Sequence, residues 1–218
     1  IEKVITMDIA ESYDRIYLSP HLDDAALSCG GQIFTATQRG GRVLIVTITA
    51  GDPVAPVSEY AASLHTRWEL VDATEARRQE DLAASAILGA DALHWDVPDC
   101  IYRVDEQDKP FYVSDADIFG AVAPAEMILV DELAAQMRVL PRAQYVVAPL
   151  AVGQHVDHQL TRLAAEQAYG SGALLYYEDY PYAQQPGKLA QTLEGEDARW
   201  LAEVVALDER ALAAKYDA

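Results

Sequence analysis

The run RVLIVTITAG, residues 42–51, is almost unbroken in β-branched and other apolar side chains and closes on a glycine. A strand with one wet face alternates apolar and polar residues, whereas a continuous run of this kind belongs to a parallel strand covered on both faces. Upstream, RIYLS (15–19) is a short apolar run stopped by Pro20. AALSCGGQIFTATQRGG (25–41) then spaces Leu27, Ile33 and Phe34 as a helix does and ends at paired glycines. Strand, turn and helix therefore precede the central strand.

Downstream, residues 63–88 carry a helix pattern with an interruption near Asp72 and a stop at Gly89, and DALHWDVPD (91–99) reads as a short strand and its exit. Residues 99–125 mix charges, aromatics and prolines without a period, so they form an irregular connection long enough to carry function. A helix over 124–140, a strand over 143–150, a helix over 157–169, a strand with its exit over 173–182 and a helix over 196–216 complete the pattern. Strands alternating with helices of this length build βαβ units. The expected fold is α/β: a Rossmann-like three-layer αβα sandwich on a mostly parallel sheet, with residues 1–218 as one domain.

With 35 acidic against 16 basic side chains the net charge is −19, which argues against nucleic acid and anionic lipid as partners. No apolar run approaches the roughly 20 residues of a bilayer span. The first ten residues lack the basic flank and apolar stretch of a signal peptide. Cys29 and Cys100 form neither a disulfide framework nor a CxxC pair, so a cytoplasmic setting is expected, with Cys29 as a small buried helix residue. A homo-oligomer is compatible with this composition but is not dictated by it.

In sheets of this type ligands bind at the carboxyl ends of strands, near the point where strand order reverses. Two such corners carry three of the five histidines: PHLDD (20–24) and GQHVDH (153–158). Imidazole with carboxylate suits a borderline divalent ion such as zinc, and His21, Asp24 and His158 make a three-ligand set that leaves a position for water. Asp23 beside them is placed to take a proton from such a water, whose pKa falls from about 15.7 to roughly 7 on zinc. Read singly, Asp23 and Asp24 also suit helix capping, and HVDH also suits a solvated helix face.

SPHLDDAALSCGG (19–31) resembles the P-H-x-D-D motif and glycine pair of the LmbE-like, or PIG-L-like, N-acetylglucosaminyl deacetylases, and HVDH resembles their H-x-D-H. RRQEDLAASAILGA (77–90) is similar to the family's R-x-x-E helix, and YYEDYPY (176–182) to a late strand of one branch. The resemblance implies a hydrolase of a linear amide that deacylates a small-molecule N-acetylglucosamine-type conjugate. Zinc is the implied ion, with another divalent ion such as Fe2+ as the alternative.

Carried onto this chain, the resemblance implies His21, Asp24 and His158 as metal ligands and Asp23 as general base. His155 would stabilise the oxyanion or protonate the amine, oriented by Asp157. Arg77 and Asp99 fall near sugar-binding positions, and Asp52 sits at another strand exit. Where some members place a mobile tyrosine two residues before the histidine matching His155, this chain has Gly153. A donor from the 99–125 connection, or none, is then expected, and one such donor is worth about 10²-fold in rate. Tyr102, Phe111, Tyr112 and Phe119 either shape the pocket or pin that connection to the core. The other readings are an amidase of thiol conjugates, a non-catalytic metal- or sugar-binding module, and a nucleotide-binding protein; the last lacks G-x-G-x-x-G and Walker A glycines.

Overall fold

The structure, a computed structural model, describes residues 9–53, 56–67, 73–195 and 200–218. Strand β1 (Ser12–Ser19) leads into helix α1 (Asp24–Gln38) and returns as β2 (Val43–Thr47). Helices α2 (Glu59–Arg67) and α3 (Ala73–Leu88) precede β3 (Asp91–His94). The 99–125 connection holds the short helix α4 (Asp115–Ile118), and α5 (Met127–Met137) leads to β4 (Arg142–Pro149). Then follow α6 (Val156–Tyr169), β5 (Leu174–Tyr177), α7 (Lys188–Leu193) and α8 (Glu209–Asp217).

All five strands are parallel, in the order β3-β2-β1-β4-β5. Every residue of β2 is buried, as its unbroken apolar run requires. Both faces of the sheet are packed. Ile16, Leu18, Leu44 and Val46 meet Leu133, Met137 and Leu160 on one side, and Tyr17, Val43 and Ile45 meet Ile33, Leu88 and Ala84 on the other. The order reverses between β1 and β4, so the exits at Ser19 and Pro149 open side by side.

Three readings of the chain change. The helix expected over 196–216 is α8 alone: residues 196–199 lie outside the described set, and 200–208 are not helical. Asp208 starts the helix there, its carboxylate accepting from Ala211 N–H at 2.8 Å, while Trp200 is held against Tyr176 and Arg162 instead of extending it. The pattern over 63–88 is two helices, with the interruption near Asp72 outside the described residues. The 99–125 connection is only partly irregular: Ser114 caps α4, and 3-10 turns cover Cys100–Tyr102 and Pro124–Glu126.

Candidate metal centre

At the β1 exit, Ser19 Oγ donates to His21 O at 2.7 Å and accepts from Ala25 N–H at 3.0 Å, locking the turn into α1. Asp24 accepts from the His21 backbone N–H at 2.9 Å, which ties its carboxylate to the turn. Asp23 makes no side-chain cap; its carboxylate points to Arg77, 3.4 Å away. Capping therefore does not account for the aspartate pair. At the β4 exit His155 caps α6, its Nδ1 accepting from Asp157 N–H at 3.3 Å, and this leaves Nε2 to carry the proton.

Asp24 Oδ2 lies 3.1 Å from His21 Nδ1 and 3.2 Å from His158 Nε2. Ring nitrogens of His21, His155 and His158 come within 4.8 Å of one another. The opposite nitrogens are engaged: His158 Nδ1 lies 2.5 Å from Asp179 Oδ1, and His21 Nε2 lies 3.0 Å from Asp157 Oδ2. Carboxylates behind imidazoles fix the tautomer that turns the free nitrogen toward an ion. Two nitrogens and one carboxylate oxygen converging in this way fit a divalent metal. Combinations including Asp99, Asp157 or Cys100 also come within that spacing.

Burial alone lowers the pKa of His158, yet the Asp24 charge and the Asp179 hydrogen bond lift it to about 9. His155 has no carboxylate hydrogen bond, and burial with the charge of His21 drives it down to about 3, so its ring is neutral. Desolvation and the neighbouring Asp24 charge raise the Asp23 carboxyl, with Arg77 opposing. Asp24 is pushed up by burial, but His158 and His21 outweigh this and hold it well below the usual carboxylate range.

The structure brings together His21, Asp23, Asp24, His155, Asp157, His158, Arg77 and Asp99, the last 3.7 Å from His21 Nε2. Asp157 orients His155 through its backbone N–H; its carboxylate serves His21 and Arg103. Asp52 stands apart, largely exposed and paired with Arg78 at 2.9 Å. In the 99–125 connection the Tyr102 hydroxyl pairs with His65 and that of Tyr112 with Glu126. Tyr102 and Tyr112 are buried in a small core with Leu64 and Ile118, whereas Phe119 stays 39% exposed against His155.

Sequence reasoning missed Asp179, which lies just beyond β5 and also accepts from Val152 N–H at 2.9 Å. It also missed Arg103, whose guanidinium, buried between Asp157 and Glu126, clamps the connection to the site.

Fold and site make a candidate divalent-metal centre at the switch point of a doubly wound parallel sheet. The chain belongs to the GlcNAc-PI de-N-acetylase (PIG-L) family, whose model matches residues 16–169. It is 28% identical over 193 residues to a 2'-N-acetylparomamine deacetylase of Niallia circulans, covering 81% of this chain and 70% of that one. It is 31% identical over 206 residues to the deacetylase of that name from Streptomyces fradiae, covering 83% and 65%.

A teicoplanin-pathway deacetylase structure superposes with a TM-score of 0.76 at 31% identity, covering 93% of this chain and 81% of that one. A zinc-inhibited form of teicoplanin deacetylase gives 0.75 at 30%, with the same coverage. The chain is accordingly a de-N-acetylase of this family. Among the described residues no helix is long and apolar enough to cross a membrane.

Proposed function

We propose that the chain removes the acetyl group from the 2-amino nitrogen of an N-acetylglucosamine-type ring within a larger glycoside, using zinc held by His21, Asp24 and His158. The carrying observation is the Asp24 carboxylate oxygen set between His21 Nδ1 and His158 Nε2 at 3.1 and 3.2 Å. A divalent ion held there supplies Lewis acidity and an acidified water. Asp23, half-exposed at the mouth and not tied into a cap, takes the proton from the attacking water and passes it to the departing amine. The neutral His155 ring, with Nδ1 occupied, offers Nε2–H to the developing oxyanion. Arg77 holds Asp23, and with Asp99 it presents polar groups to the sugar. The two buried free thiols support a cytoplasmic setting.

The test is amine release from N-acetylglucosamine, 2'-N-acetylparomamine and an N-acetylglucosaminyl glycopeptide, for wild type and Asp23→Asn. Zinc and Fe2+ are compared, with zinc at one equivalent and in excess because a zinc-inhibited relative is known. Asp23→Asn should retain metal and lose roughly 10²–10⁴-fold in turnover. Near-normal turnover by that variant would refute the role of Asp23, and a wild type that binds metal but releases no amine from any of the three would refute the substrate class.

A further inference from the structure

Two kinds of group border the centre. The polar ones are the Asp23–Arg77 pair and Asp99. The others are four rings that close a circuit. Phe119 stands edge-on to His155 (centroids 5.3 Å, 80°) and to Tyr182 (5.7 Å, 67°). Tyr182 stands edge-on to His158 (5.8 Å, 83°), and His155 lies 5.4 Å from His158.

Gly153 is what seats Tyr182. It adopts φ +90°, and a Cβ at this position would lie 2.6 Å from Tyr182 Cγ and 2.8 Å from its Cβ and Cδ1. Asparagine or aspartate tolerates such a backbone, but no side chain fits that space. The departure from the family pattern at 153 and the ring at 182 are therefore one feature.

Resting on the deacetylase reading above, we propose that Phe119 and Tyr182, the latter admitted by Gly153, form the wall that limits the acyl group to acetyl. Sugar hydroxyls need hydrogen-bonding partners and turn to the Asp23–Arg77–Asp99 side. The acyl methyl needs none and turns to the rings. Both rings lie within 6 Å of an imidazole of the centre, so an acyl chain longer than acetyl runs into them. Hydrophobic walls discriminate single methylenes by roughly 10–200-fold, enough to set acyl length.

The experiment compares kcat/KM for N-acetyl and N-hexanoyl forms of glucosamine and of paromamine (at its 2'-nitrogen), with bound metal measured for each variant. Phe119→Ala and Tyr182→Ala should raise the hexanoyl-to-acetyl ratio roughly tenfold or more at unchanged metal content. Tyr182→Phe, which keeps the ring, should hold the wild-type ratio, and Gly153→Ala should shift the ratio as Tyr182→Ala does. An unchanged ratio in both alanine variants, or a KM rise equal for both acyl lengths, overturns the wall while leaving deacetylation standing. If wild type hydrolyses neither acyl form of either amine, the substrate reading itself fails and this inference falls with it.

Discussion

Asp157 Oδ2 lies 3.0 Å from His21 Nε2 although 136 residues separate the two, and the other Asp157 oxygen lies 2.6 Å from Arg103 Nη1. The same Oδ2 accepts from Cys100 N–H at 3.1 Å. Burial pushes the Asp157 carboxyl up, but Arg103 and His21 outweigh it and hold it well below the usual carboxylate range. The carboxylate is thus a fixed anion behind the imidazole proposed as a ligand. Asp157→Asn keeps the shape and removes the charge, and should weaken metal binding roughly 10–100-fold. Competition against a chelator of known affinity measures this, and an unaltered affinity would remove Asp157 from the centre's support.

Asp179 does for His158 what Asp157 does for His21. Its oxygens are divided between His158 Nδ1 at 2.5 Å and Val152 N–H at 2.9 Å, so it ties the His158 ring to the β4 exit. Asp179→Asn should lower metal affinity by a similar factor of roughly 10–100. Asp179→Ala should lower it further, because the ring then loses its orienting partner. Equal affinity in wild type and both variants would mean that His158 is positioned by packing alone.

Of these two carboxylates, Asp157 was readable from the chain and Asp179 was not. His21, Asp23 and Asp24 fall in one short motif, and His155, Asp157 and His158 in another. Parallel strands were legible from the unbroken run at 42–51, and the rule that ligands sit at carboxyl ends joins the two motifs. Arg103 belongs to no such pattern, and Asp179 lies in the YYEDYPY stretch, whose resemblance to a late strand gave that carboxylate no role. They gain meaning only when folding brings partners 21 and 54 residues away against them. Apolar content misled at the other end of the chain: Leu201 and Val204 look like one face of a helix but are 94% and 92% exposed, and the helix waits for the Asp208 cap.

Arg103 is a buried cation between two buried carboxylates, with Tyr112 donating to Glu126 behind it. Removing one member strands the others, a cost of roughly 3–5 kcal/mol when a buried pair is broken. Arg103→Met should destabilise by about that amount in denaturant melts. Glu126→Gln together with Arg103→Met should cost less than the two single changes added, because the double variant strands only Asp157. Additive costs would show that Arg103 and Glu126 do not act as a pair.

Cys29 sits on α1, 4% exposed, and burial pushes its thiol up to about 12. The thiolate is the reactive species, so at pH 8 its fraction is very small and should rise about tenfold per pH unit toward the pKa. Native protein should therefore resist iodoacetamide at pH 8, while unfolded protein takes up label at both cysteines. Rapid native labelling of Cys29, read by peptide mass, would contradict this burial.

Helix α8 docks on α1 over two adjacent glycines, and their lack of side chains sets how close it comes. A Cβ at Gly31 would lie 2.5 Å from Leu207 Cδ1 and 3.2 Å from the Ala211 carbonyl oxygen. The first contact is the end of a flexible side chain that can swing aside, whereas the second is backbone that cannot. Gly30 is more forgiving, its nearest neighbour being Lys215 Cγ at 3.4 Å. Gly30→Ala should consequently be neutral or slightly stabilising, since alanine favours helix by about 1 kcal/mol over glycine. Gly31→Val should overpack the seat and cost roughly 1–3 kcal/mol, and a truncation before Leu207 should shrink the gap between the two variants to the difference in helix propensity between alanine and valine. If Gly31→Val melts with wild type in the intact chain, the close approach of α8 to α1 is not what holds the C-terminal helix in place.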